Sequence, residues 1–373
     1  MTPAALLRLR LENHGLDRAA FRKPEDVVAW FGAVQAQDYL GALWAIGLRT
    51  RGAVESTVEA AETRRAIVRQ WPMRGTLHFV AAADAKWITR LLAPRVIARN
   101  AARISREVDV DPRVVGRCRD IVMRALEGGR RLEREQLYAA LEARRVRTAK
   151  SRGLHILGWL AQEGTLCLAG RSGKQHTFAL LDEWIPDCRE LDREHALAEL
   201  ATRYFRSHGP ATLHDFVWWT GLTVKDAQAA IDGAQGLLER IETGGAAYWW
   251  VPRRARRQPP GDGPVVKLLP AFDEFTVAYE NRALLLAPAH AKRVVSAQLL
   301  NPVIVIDGVV AGAWRRTLAA GGVRIAPRWF GRPDKAVRDG WDIAATEYRR
   351  FLAPSRLLKK CSPALFQRRL RKA

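Results

Sequence analysis

One order of signals occurs three times along the chain, and that recurrence constrains the fold more than any single motif. Its clearest copy spans 131–181. Leu132, Leu137, Ala140 and Leu141 form one apolar helical stripe. A second helix is expected over about Thr148 to Gln162, and Glu163-Gly164 stops it. TLCLAG and HTFALL then read as two short strands around the tight turn Arg171-Ser172-Gly173-Lys174. The same order returns at 192–251, with a hairpin turning at Thr243-Gly244-Gly245. A less regular copy begins at Pro24 and ends in strands across the Arg74-Gly75 corner. Helix, helix and hairpin is the order of a winged helix-turn-helix, and three copies in a row are an internal repeat. The competing reading is a set of small α+β modules with solvated basic faces.

After a basic Pro/Gly-rich linker at 252–264, the texture changes to apolar strands joined at Asp307-Gly308 and at the Ala319–Gly322 turn. The expected fold class is therefore α+β: three tandem winged helix-turn-helix modules, then a small antiparallel sheet or barrel, C-shaped around a basic channel. The expected divisions are 1–125, 126–190, 191–255 and 256–373. A helix over 334–352 and a basic tail over 356–373 close the chain. Trp218, Trp219, Trp249 and Trp250 are read as core and inter-domain packing rather than as stacking platforms.

Composition supplies the partner. Lys and Arg total 61 against 39 Asp and Glu, a net charge of +22 on a chain with 48% hydrophobic residues. Arg outnumbers Lys more than fourfold, a bias that a G+C-rich genome explains, whereas the excess over acids is not so explained. Such a surface attracts polyanions, with affinity that falls steeply as salt rises, and nucleic acid leads an anionic membrane surface. Residues 1–20 carry Arg8, Arg10 and Glu12 where a signal peptide needs an apolar run, and no stretch reads as membrane-spanning. The four cysteines are far apart without a CxxC pair, which argues against a zinc ribbon and for a reducing cytoplasm. The motifs for NTP, dinucleotide, zincin and serine-hydrolase chemistry are absent, so no cofactor, nucleotide or metal is expected.

Against this background Val34-Gln35-Ala36-Gln37-Asp38 stands out, two amides around one small residue after an apolar helix face. With Arg74-Gly75-Thr76-Leu77-His78, the DFVWWTGL run from Asp215, LLPAFDE from Leu268 and VIVIDG from Val303, the chain resembles the AlkZ-like and YcaQ-like DNA glycosylases. The resemblance covers nearly the whole chain. It implies tandem winged-helix proteins of bacteria that remove bulky N7-alkylated purines and unhook interstrand crosslinks. Its AlkZ branch carries Gln-x-Gln as catalytic motif and its YcaQ branch Gln-x-Asp, so the resemblance puts Gln35 and Gln37 on the AlkZ side. That branch is associated with self-resistance to DNA-alkylating natural products.

The chemistry fits such residues. An amide is no general base, yet it has an acceptor oxygen and two N–H donors with which to hold a water near C1′. An N7-alkylated guanine already carries positive charge and leaves without an enzyme acid, through an oxocarbenium-like transition state. On a helix, however, positions i and i+2 lie about 160° apart, so the helix from Glu25 must end near Gln35 or the amides grip from opposite flanks. A covalent lyase would need a Schiff-base lysine, and none stands in a recognisable catalytic context, which points to a monofunctional, water-using enzyme.

Arg74, His78, Lys150, Arg152, His155, Arg171, Lys174, Arg315 and Arg316 are the candidate DNA contacts. A buried hydrogen-bonded role is an equal reading for His78; Asp38 is the runner-up water activator, though a helix-end or salt-bridge role is the reading preferred for it, and structural roles are read for Asp273 and Glu274. The alternatives to a glycosylase are a non-enzymatic winged-helix regulator reading sequence through Lys150–His155 and a lesion-binding protein without turnover. The expected partner is double-stranded DNA carrying alkylated purines, bound by a monomer in the cytoplasm, at the nucleoid.

Overall fold

The computed structural model describes residues 1–252, 263–296, 299–319 and 322–358, with no side chains described for 295–300, 318–322 or 353–358. The 252–264 linker, the tip of the Ala319–Gly322 turn and most of the tail fall in whole or part outside these residues.

Helix α1 (Pro3–Asn13) precedes the first unit, which runs α2 (Pro24–Phe31), β1 (Val34–Gln35), α3 (Tyr39–Arg49), α4 (Glu55–Thr63), β2 (Ile67–Met73) and β3 (Thr76–Ala81). A 24-residue helix, α5 (Ala85–Val108), leads to α6 (Pro112–Leu126), β4 (Leu132–Glu133), α7 (Arg134–Glu142), α8 (Arg152–Gln162), β5 (Leu166–Ser172) and β6 (Gln175–Leu180). After the short α9 (Leu181–Trp184), the order returns in α10 (Arg193–Ser207), α11 (Leu213–Thr220), α12 (Val224–Gly233), β7 (Glu239–Thr243) and β8 (Ala246–Trp250). Here an isolated bridge between Ala211 and Trp249 stands where the other units have a short strand. Each unit is thus helix, strand or bridge, helix, helix, hairpin.

The turns follow from backbone chemistry. Arg74 and Gly75 both take positive φ, as do Gly244 and Gly245, and Asp307 and Gly308, pairs that match the tight-turn geometry of twisted hairpins. Pro24 sits in the first turn of α2, where its missing N–H is no loss, and Gly32 ends the helix at φ 81°.

The hairpins of the first two units merge. The sheet order is β1-β3-β2-β5-β6-β4, with β2 meeting β5 at Arg69 and Leu168. A second core forms around Val115, Cys118, Val122, Leu137, Ile156 and Phe178. It takes in the buried apolar face of α6 and also Leu77 of β3 in the first unit.

The rest of the chain shares the larger core. β9 (Val266–Leu269) is followed by α13 (Glu274–Val277), α14 (Ala291–Val294), β10 (Val295–Ser296), β11 (Leu299–Leu300), β12 (Val303–Ile306), β13 (Val309–Ala319), β14 (Gly322–Trp329) and α15 (Lys335–Leu358). The four-stranded antiparallel sheet runs β14-β13-β12-β9, and α15 packs on β9 and on α3 and α4 of the first unit. Gly308, at the β12–β13 turn, lies against Leu7 of α1 at a distance that leaves little room for a Cβ. Consequently the segment before α13, from Pro270 to Asp273, is set against the first unit rather than hanging from a linker. Among the described residues no helix is long and apolar enough to cross a membrane.

Candidate active site

Helix α2 stops at Phe31, and the chain enters β1 extended, with Gln35 paired to His78 and Val34 to Phe79 on β3. The geometric objection raised by helix spacing therefore lapses. β1 ends at Gln35 and Gln37 stands in the bend that follows, and both amide oxygens turn to the β2–β3 hairpin, Gln35 to Arg74 and Gln37 to Leu77. Ala36 between the glutamines is fully buried, Gln35 is half-buried and Gln37 is exposed.

The backbone and both amide oxygens of this short segment are held. The Gln35 N–H donates to Glu274 Oε1 at 2.7 Å, and the Ala36 N–H donates to the Leu77 carbonyl at 2.7 Å. The Ala36 carbonyl accepts from Arg69 through both Nε (3.0 Å) and Nη2 (2.7 Å). Gln37 Oε1 accepts from the Leu77 N–H at 3.2 Å, and Arg74 Nη2 approaches Gln35 Oε1 at 3.5 Å. Each amide oxygen keeps a second lone pair and each amide its N–H donors, enough to orient a water.

Beneath the segment lies a buried charge system. Glu274 is 1% exposed and accepts also from Trp219 Nε1 at 2.8 Å, while His208 Nε2 lies 3.4 Å from the same oxygen. Burial alone would raise the Glu274 carboxyl; the His208 contact and the Arg74 charge outweigh it and hold the group at about 2. Burial, with Arg74 beside it, pushes His78 down to about 3, so it is neutral. Its Nδ1–H donates to the Thr76 carbonyl (3.0 Å) and its Nε2 accepts from Arg74 Nη2 (3.2 Å). Arg74 itself is lowered by burial.

The structure brings together Gln35, Gln37, Arg74 and His78 of the residues singled out in the sequence. His78 is fully buried and spends its imidazole on Thr76 and Arg74 rather than on the surface. The others stand elsewhere. Lys150 is exposed just before α8, Arg152 is largely buried with Nη1 3.5 Å from Asp109, and His155 is half-buried on the first turn of α8. Lys174 is exposed at the β5–β6 turn, whereas Arg171 folds back over the Tyr39 ring, 5.2 Å from its centroid, and lies 3.8 Å from Glu59. On β13 Arg315 is exposed and Arg316 donates to the Tyr348 hydroxyl of α15. Asp38 is exposed at the start of α3.

Asp273 has the structural role expected of it. Its carboxylate caps α13 through the Phe275 N–H and takes a two-pronged, fully buried ion pair from Arg49 at 2.8 and 2.9 Å. Glu274 does more than that expectation allowed, Trp219 was read only as packing, and Arg69 and His208 were not singled out. Trp219 is buried as expected, but Trp218 is 45% exposed. Among the described residues no group of three or more His, Cys, Asp or Glu is placed to hold a metal.

An α+β fold of repeated helix–helix–hairpin units, carrying a pinned pair of uncharged amides on a strongly basic chain, is the frame of a DNA-acting enzyme. A solved structure titled Streptomyces sahachiroi DNA glycosylase AlkZ shares the fold, with a TM-score of 0.79 at 22% identity over 94% of this chain and 96% of that one. The family model described as DNA glycosylase AlkZ-like matches residues 28–351. The chain belongs to the AlkZ-like family and is a DNA glycosylase. A curated relative from Streptomyces sahachiroi, named an interstrand DNA cross-link repair glycosylase, is 26% identical over 322 residues, covering 82% of this chain and 85% of the relative.

Proposed function

We propose that this glycosylase hydrolyses the N-glycosidic bond of bulky N7-alkylguanine in duplex DNA and leaves an abasic site. The observation that carries the reading is the Gln35-Ala36-Gln37 segment, whose two amide oxygens both turn to the β2–β3 hairpin while Glu274, Arg69 and Leu77 fix its backbone. Gln35 and Gln37 hold a water against C1′. As the C1′–N9 bond breaks, its electron pair neutralises the cationic base. The water oxygen bonds to C1′ and its proton passes to solvent. Amides suit this substrate because the leaving group is already charged, and they would serve a neutral base poorly.

The three repeated units are read as winged helix-turn-helix modules curving around the duplex. Exposed Lys150 and Lys174 of the second unit and Arg315 of the C-terminal sheet meet phosphate, with Arg74, Arg152, His155, Arg171 and Arg316 behind them. Arg152 would have to leave Asp109 to reach DNA. Unhooking of interstrand crosslinks follows the name of the curated relative, and self-resistance to a DNA-alkylating natural product follows from the Gln-x-Gln pattern. The enzyme acts as a monomer in the cytoplasm, without cofactor.

The test is a duplex with a single N7-alkylguanine. Release of the free base and an alkali-labile site, without direct strand scission, is the expected result. Tight binding of that duplex with no base released would instead indicate a lesion-binding protein.

A further inference from the structure

Helix α11 carries two adjacent tryptophans with opposite fates. Trp219 points inward to Glu274, whereas Trp218 is the one aromatic side chain among the large hydrophobic residues left exposed in the described part of the chain. Its edge is nevertheless fixed, because Nε1 donates to the Val277 carbonyl at 2.9 Å, three residues beyond Glu274. Leaving so large an apolar ring in water forgoes burial that every other tryptophan obtains at least in part. Holding its edge at the same time pre-sets the plane of the ring.

Arg282 stands beside it. Its guanidinium carbon is 5.6 Å from the Trp218 ring centroid, and no described carboxylate pairs with it. Its Nε is buried without a hydrogen-bond partner. The pair adjoins the amide site. A Cβ on Gly221, three residues after Trp218, would lie 3.8 Å from Arg74 Cγ, and Arg74 Nη2 reaches Gln35 Oε1. The charge of Arg282 is close enough to oppose that of Arg74.

We infer that Trp218 and Arg282 form a nucleotide notch at the edge of the active site, in which the exposed indole stacks on a planar aromatic group of the damaged strand and Arg282 takes the adjoining phosphate. A fixed aromatic plane tolerates any base, because every base has a π-face, and an unpaired guanidinium beside it supplies the anion site. The planar group is either a nucleobase next to the lesion or a ring borne by the lesion itself. The inference rests on the proposed action on N7-alkylguanine in DNA.

Equilibrium binding separates it from that reading. Duplexes carrying one N7-methylguanine or one N7-benzylguanine are titrated with wild type, Trp218→Ala, Trp218→Phe and Arg282→Gln, with thermal unfolding as the check on folding. Trp218→Ala is expected to weaken affinity about tenfold, and Trp218→Phe to restore most of it. An equal loss on both duplexes assigns the stack to a nucleobase, and a greater loss on the benzyl duplex assigns it to the lesion's ring. Arg282→Gln is expected to lower the slope of log K against log salt by about one. Affinity within twofold of wild type for Trp218→Ala on both duplexes overturns the notch, and an unchanged salt slope overturns the phosphate contact of Arg282. Should Trp218→Ala fail to fold, Trp218→Leu against Trp218→Phe makes the same comparison. If wild type binds but excises neither base, the catalytic reading fails while the notch is still tested.

Discussion

The main-chain N–H of Gln35 donates to the carboxylate of Glu274, 239 residues away in the chain, at 2.7 Å and out of contact with water. Glu274 receives a second donor, the Trp219 indole, on its other oxygen. A glutamine in its place has one oxygen for two donors, so one buried N–H must face another, at a cost of about 1–3 kcal/mol. Glu274→Gln is therefore expected to lower the melting temperature and to reduce kcat for base excision by roughly 10–100-fold, with duplex affinity close to wild type. An unchanged kcat would show that Gln35 needs no such support.

Arg74 bridges Gln35 and His78, and its charge helps hold His78 at about 3. Arg74→Gln removes that charge. The His78 pKa should rise, followed by NMR titration of the imidazole, and excision should fall about tenfold or more through loss of the Gln35 orientation. A His78 titration that does not move would remove Arg74 from this electrostatic unit.

The loop carrying Glu274 is anchored by the buried Arg49–Asp273 pair. Arg49→Met leaves the Asp273 carboxylate buried without its partner, and a loss of about 3–5 kcal/mol is expected in chemical unfolding. A loss below about 1 kcal/mol would mean that Asp273 is reached by water.

Stability should also fall on mild acidification. His78, at about 3, and His176, at about 4, both lie below their ordinary value of 6.5, and His14 and His208 are lowered too, each chiefly by burial. Groups depressed in the folded state contribute stability that is complete above the unfolded pKa and is lost as pH falls towards the folded one. The window for the histidines opens near 6.5, and that of Glu274 opens near its ordinary 4.5. Unfolding free energy measured from pH 7 to 5 should decline, with an uptake of about two protons at pH 5 from His78 and His176 alone. A flat profile over that range would contradict the buried, neutral state of these rings.

Much of this was legible in the sequence because it is local. The hairpins at Arg74-Gly75, Gly244-Gly245 and Asp307-Gly308 declared themselves through residues that tolerate positive φ, and Pro24 marked the start of α2, whereas its end was expected near Gln35 and Gly32 sets it earlier. Gln35 and Gln37 were visible as polarity misplaced after an apolar stripe. The long α5 was not read, since its first turns are apolar on several sides and Pro94 interrupts it. Glu274 was beyond reach for a different reason. Its partners Gln35, Trp219 and His208 come from three distant segments, and only tertiary packing brings them together. Trp218 and Trp219 are indistinguishable in sequence, and the turn of α11 alone decides which faces water.

The central claim is that two uncharged amides carry the chemistry, and single-turnover excision tests it most directly. Wild type, Gln35→Ala and Gln37→Ala are compared on one duplex containing N7-alkylguanine, with duplex affinity measured in parallel. Each variant is expected to bind nearly as wild type and to excise about 10²–10³-fold more slowly, the scale on which one oriented polar group acts in a transition state. Excision by Gln37→Ala at the wild-type rate would contradict the claim.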